Sequence, residues 1–199
     1  MSREKCRAAI KSTPEEEIAR KLHRATEDVC GCEQFEMEDT SPGRVSDGEL
    51  LNLVVSDPNS LLPDGSLNPA MVVQIDLGGL SCLRGAAEDE EFRLTIDQLK
   101  TRSAAAGKQR FLHGVCIFPA STVRYDNDSR LLGVYDTALP DKPHHADMIA
   151  PDLHPITTLS KTQKEKENRR RYKRIIELIG ATLVPARQFR GGQFATYGR

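Results

Sequence analysis

The chain has 199 residues, of which 38% are hydrophobic, 29% charged and 5% aromatic, with a formal net charge of -1 and a mean hydropathy of -0.48. Such a composition describes one soluble domain with polar arms and excludes collagen-like, low-complexity and membrane-spanning chains, because no apolar run approaches the roughly 20 residues that a bilayer requires. Met1 to Lys5 lead into no hydrophobic signal segment, and five cysteines (Cys6, Cys30, Cys32, Cys82, Cys116) are an odd number, so reduced thiols in the cytoplasm are expected.

Residues 1–12 are polar and read as loose. Ser12-Thr13-Pro14 followed by Glu15, Glu16 and Glu17 then supplies a cap, a first-turn proline and first-turn acids. Ile18, Leu22, Ala25 and Val29 recur at helical spacing behind it, so a helix is expected from Pro14 to about Cys30, stopped by Gly31. Glu33 to Gly48 is acidic and carries the turn pairs Pro42-Gly43 and Asp47-Gly48, as a linker would.

From Glu49 onward short apolar runs alternate with turn residues. Leu50–Val55, Met71–Leu77, Leu80–Leu83, Val115–Phe118, Leu131–Tyr135 and Asp147–Ala150 read as strands. Glu88 to Arg102 reads as a helix, with Phe92, Ile96 and Leu99 on one face, acids at its front and Gly107 beyond its end. Asp126-Asn127-Asp128-Ser129 marks a turn. Strands gathered around one helix indicate an α+β fold, a single mixed-sheet core with an N-terminal helix and a basic C-terminal helix and flexible tail. The divisions fall at residues 1–48, 49–159 and 160–199.

The last segment begins with Ser160 and Gln163 in capping-box spacing. Only Tyr172, Ile175, Ile176 and Ile179 give this helix an apolar face, so Lys161 to Arg171 should stay in solvent. Residues 161–199 hold eleven Lys and Arg against three Asp and Glu, a surplus of +8 that leaves the remainder at -9. Arg169, Arg170, Arg171, Tyr172, Lys173, Arg174, Arg187, Phe189, Arg190, Phe194 and Tyr197 interleave cations with rings. That pattern suits single-stranded nucleic acid, where guanidinium neutralises phosphate and aromatic rings stack on bases, and an acidic protein surface is the other partner it would suit. A tail folded back on its own acidic body would account for the same charges.

A second constellation is Pro143-His144-His145-Ala146-Asp147. In an extended segment His145 and Asp147 share one face, and an imidazole oriented by a carboxylate is a candidate general acid or base. Arg84, at a predicted strand end, could hold an anionic nucleotide or RNA phosphate against them. His144, His145, His154 and Asp152 offer imidazole and carboxylate ligands to a metal, but their spacing matches no metal motif, and Cys30-Gly31-Cys32 departs from zinc-knuckle spacing. No phosphate loop, dinucleotide fingerprint or nucleophile elbow occurs, so neither a metal nor an organic cofactor is expected. Two functions follow from the sequence: a binding or adaptor protein acting through its tail, and a small acid–base enzyme built on His145, Asp147 and Arg84.

Overall fold

The alternating apolar runs close into a six-stranded antiparallel sheet of order β6-β7-β2-β1-β3-β8. Its strands are β1 (Leu50–Asp57), β2 (Leu80–Arg84), β3 (Phe111–Pro119), β6 (Gly133–Asp136), β7 (His145–Ile149) and β8 (Leu183–Pro185). A two-stranded ribbon, β4 (Tyr125–Asp126) and β5 (Ser129–Arg130), lies outside it. The helices are α1 (Arg3–Ile10), α2 (Ile18–Ala25), α3 (Asp89–Ala105), α4 (Ala120–Arg124) and α5 (Lys161–Gly180). This computed structural model describes residues 2–11, 18–25, 30–127, 129–150 and 160–198, with backbone alone at 23–25. The expected α+β class is what the chain adopts.

Period-two alternation gives the sheet two different faces. One carries Leu51, Leu53, Cys82, Cys116, Phe118, Ala146 and Met148 against Ile175 and Ile179 of α5. The buried thiols behave as small core residues: burial pushes Cys116 up to about 12 and Cys82 well above its ordinary value. The opposite face is covered only in part. Leu83 and Val115 meet Phe92 and Ile96 of α3, while Tyr135 and Ile149 meet α1, α2 and Met37. Two separate clusters on one face leave a trough between them.

Several sequence expectations need correction. The first residues are helical because the Ser2 hydroxyl accepts from the Lys5 amide and Cys6 and Ala9 pack against Ile18, Ala19 and Leu22. Cys6 is disulfide-bonded to Cys32, so those two thiols are not reduced; Cys30, Cys82 and Cys116 are free. Met71–Leu77 is not a strand. Asn68 caps and Pro69 opens a 3-10 helix over Pro69–Asp76, in which Val72 and Ile75, three apart, turn inward together. The expected cap at Ser12 to Pro14 and the end of that helix near Val29 lie outside the described residues.

The largest correction concerns the tail. Phe189 and Phe194 are buried, and with Phe92 they form a ring cluster at centroid distances of 5.0, 5.8 and 5.5 Å. Tyr197 joins Phe194 at 6.1 Å, and Arg190 donates to Asp89 and to the Ala87 carbonyl. The segment is therefore packed rather than loose, because its rings find more apolar surface on α3 than water can offer them.

Candidate functional site

The trough is a cleft of about 1190 Å³, somewhat larger than most small-molecule sites. Its floor is the half-covered sheet face and one wall is α3. The segment containing Met37 and Glu38, with Ile10 of α1 and Lys11 just after it, forms the other. Register places the polar floor residues: Ser81 stands opposite Asp147, Asn52 opposite Leu83, and Leu83 opposite His145. Thr137, just past β6, adds its amide to the His145 carbonyl and so brings its hydroxyl beside the same pair.

These side chains form one hydrogen-bonded chain. The Ser81 hydroxyl donates to Asp147 Oδ1 at 3.0 Å and the Thr137 hydroxyl donates to Asp147 Oδ2 at 2.8 Å. Having given its only proton to the carboxylate, Thr137 Oγ1 can only accept from His145 Nδ1, 2.9 Å away. The Thr137 carbonyl, 3.1 Å from the same nitrogen, also only accepts. Nδ1 must therefore carry the ring proton, and a neutral His145 keeps its lone pair on Nε2. His145 and Asp147 lie 3.8 Å apart, too far for a direct hydrogen bond, so Thr137 is the link between them. His145 is 8% exposed and lines the cleft.

Glycine geometry fixes the approach of Asp147. Gly79 has φ +108, and a Cβ there would sit 2.9 Å from the Asp147 Cβ, so the turn before β2 closes over the carboxylate only because the side chain is missing.

Of the three residues expected to act together, the fold unites two. Arg84 is 3% exposed but does not line the cleft; its guanidinium donates to Glu49 Oε2 at 2.8 Å and faces Asp136 Oδ1 at 3.4 Å. It fastens the segment before β1 to the sheet and has no donor left for a substrate. Burial holds the Asp136 carboxyl above its ordinary range, against the hydrogen bonds of Ser41 and the Met37 amide and the charge of Arg84. His144 points elsewhere, its Nδ1 2.7 Å from Glu91 Oε1. His154 and Asp152 fall outside the described residues. Cys32, being disulfide-bonded, offers no thiolate to a metal.

Sequence reasoning missed Lys142, which sits in the turn before β7. Its Nζ donates to Gln98 Oε1 at 2.7 Å, it lines the cleft, and it is only 5% exposed. Burial holds its ammonium below the usual lysine range, with Arg102 adding to the effect and Asp141, Asp147 and Glu91 opposing it. A lysine between two prolines in a polar turn carries no sequence signal of burial. Thr137 was likewise invisible, since its importance comes from pairing with a strand eight residues away.

The tail residues divide. Arg171 meets Asp76 at 3.3 Å, Tyr172 also donates to Asp76, and Arg174 meets Asp126 at 2.8 Å. Arg171 is thus drawn out of the solvent in which it was expected. Arg169, Arg170, Lys173 and Arg187 are exposed. Phe189 and Phe194 cannot stack on bases while they fill the core.

Among the described residues, no helix is long and apolar enough to cross a membrane. Comparison with protein-family models, with curated proteins and with solved structures found no match, so the geometry alone bears on function.

Proposed function

We propose that the protein is an enzyme that moves a proton on a small anionic substrate bound in the cleft, with His145 Nε2 as the general base. The observation that carries this reading is the His145–Thr137–Asp147 chain on the cleft floor. A carboxylate acting through a hydroxyl fixes the tautomer and orientation of the imidazole, and when Nε2 takes up a proton the Asp147 charge stabilises the imidazolium that results. Ser81 holds the second carboxylate oxygen, which keeps Asp147 from turning away. The α3 wall and the Met37–Glu38 wall narrow the access of water.

The test is a panel of phosphorylated and carboxylated small molecules, first screened by thermal stabilisation and then by proton NMR for turnover. His145→Ala is expected to keep the stabilisation given by the active compound and to lose its turnover by at least a hundredfold, the lower end of what a positioned general base supplies. Turnover by His145→Ala at the rate of the unaltered protein refutes the reading.

A second reading rests on α5. Lys166, Arg169, Arg170 and Lys173 recur at three and four residues and form an exposed ridge, in which, among the described residues, Lys173 alone comes within 4 Å of a carboxylate, Glu177 at 3.9 Å. Such a ridge can follow a nucleic-acid backbone by charge alone. With four phosphate contacts, affinity for a duplex should fall roughly a hundredfold between 50 and 200 mM salt. Binding that ignores salt, or survives reversal of the four charges, removes this reading.

A further inference from the structure

Several cations of this molecule are already ion-paired. Arg84, Arg124, Arg171, Arg174 and Arg190 each meet a carboxylate within 4 Å. Lys142 and Arg102, which line the cleft, meet none among the described residues. A lysine as buried as Lys142 with no ion pair within 4 Å among the described residues, and with a second cation acting on it, marks a place where an anion from outside would be stabilised, although the charges of Asp141, Asp147 and Glu91 reach it from farther away.

Their surroundings complete a seat. Thr95, Gln98 and Arg102 are spaced at three and four residues and so share the cleft-facing side of α3. Gln98 holds Lys142 Nζ through its amide oxygen, which leaves two ammonium protons uncommitted. One turn earlier, the Thr95 hydroxyl is buried and has no hydrogen-bond partner. Of the acids whose charge reaches Lys142, Asp147 is engaged by Ser81 and Thr137 and Glu91 by His144, while Asp141 is its neighbour in the chain. Among the described residues no Phe, Tyr or Trp lines the cleft, while Asn52, Ser56 and Ser60 put amide and hydroxyl groups on its floor.

We infer that Lys142, Arg102 and Thr95 form a phosphate seat beside His145, and that the substrate is a phosphomonoester of a non-aromatic, polyhydroxy compound. Two cations and a hydroxyl supply the several donors that a phosphate dianion can accept from, more than one carboxylate needs. The amides and hydroxyls of the floor would meet the carbon skeleton's hydroxyls. Without a Phe, Tyr or Trp ring to stack on, the cleft holds little for a nucleobase, and this replaces the nucleotide or RNA phosphate expected from the sequence. The inference rests on the cleft being the substrate site but does not require His145 to act as the base.

The experiment is isothermal titration with glycerol phosphate, inorganic phosphate, AMP and acetate at constant ionic strength. Glycerol phosphate and phosphate are expected to bind saturably and acetate at least tenfold more weakly. Lys142→Met and Arg102→Gln should each weaken glycerol phosphate tenfold or more, while His145→Ala leaves its affinity within twofold. Arg102 is exposed on its helix, so Arg102→Gln serves even if Lys142→Met does not fold. Acetate binding as tightly as phosphate, no saturable phosphate binding, or affinity unchanged in Arg102→Gln overturns the seat. AMP binding more tightly than glycerol phosphate overturns the substrate class. Normal phosphate affinity in an inactive or a fully active His145→Ala decides the general-base reading separately, leaving the seat in place.

Discussion

Replacing Phe194 by alanine separates a packed tail from a free one. The ring is 0% exposed and touches three others, Phe92 at 5.8 Å, Phe189 at 5.5 Å and Tyr197 at 6.1 Å. Truncating a fully buried phenylalanine costs about 3–5 kcal/mol, from lost transfer free energy and the cavity left behind. Each tilted ring pair adds about 0.5–1.5 kcal/mol beyond area, so the upper part of that range is expected here. Against a total stability of about 5–15 kcal/mol this is a large fraction, and for a chain of this size it lowers the midpoint of thermal unfolding by roughly 6–20 °C. The assay is urea unfolding followed by circular dichroism and by fluorescence of the tyrosines, with Arg187→Ala as control. Arg187 is exposed and without a partner among the described residues, and should change stability by less than about 0.5 kcal/mol. A loss below about 1 kcal/mol in Phe194→Ala, with an unchanged denaturant slope, would mean that the tail is not part of the core. Phe189 and Phe194 would then be free to stack on nucleic-acid bases after all.

Two further outcomes test the frame around the cleft. The Cys6–Cys32 bond closes a loop with a sequence separation of 26, which the chain-entropy relation converts to about 3.5 kcal/mol, so Cys6→Ser should lose up to that amount. In denaturant without reductant a thiol reagent should count three cysteines; five would show that the bond is absent. Asp136 has its carboxyl raised by burial, so the folded state binds a proton more tightly than the unfolded one, whose value is near 3.8. Its contribution is therefore fully present below that value and is lost as pH rises through the folded value. Asp136→Asn should flatten this part of the stability profile, measured by urea unfolding at pH steps from 3.5 to 7; an unchanged slope shows that another group is responsible.

Local chemistry was legible wherever a signal is carried by neighbours in the chain. Ser160 and Gln163 do form a capping box on α5, and the acids before α3 do stand at its first turn, because caps and dipoles act within one turn of helix. The strand alternation that puts His145 and Asp147 on one face also held, and both line the cleft. Met71–Leu77 misled because an apolar run of that length fits a strand and a 3-10 helix alike, and the cap at Asn68 decided between them.

The chain's charge imbalance, its α+β class and the shared strand face of His145 and Asp147 are thus properties of the sequence by itself, since composition and period need no partner to be read. Where the positive charges go is decided only in three dimensions. Arg84 looked like a substrate clamp and became a brace with Glu49 and Asp136, while Lys142, which carries no signal in the sequence, became a buried cation of the cleft held by Gln98. Burial and ion pairing depend on residues dozens of positions apart arriving at one place, and no spacing along a chain encodes which carboxylate a given cation will meet or miss.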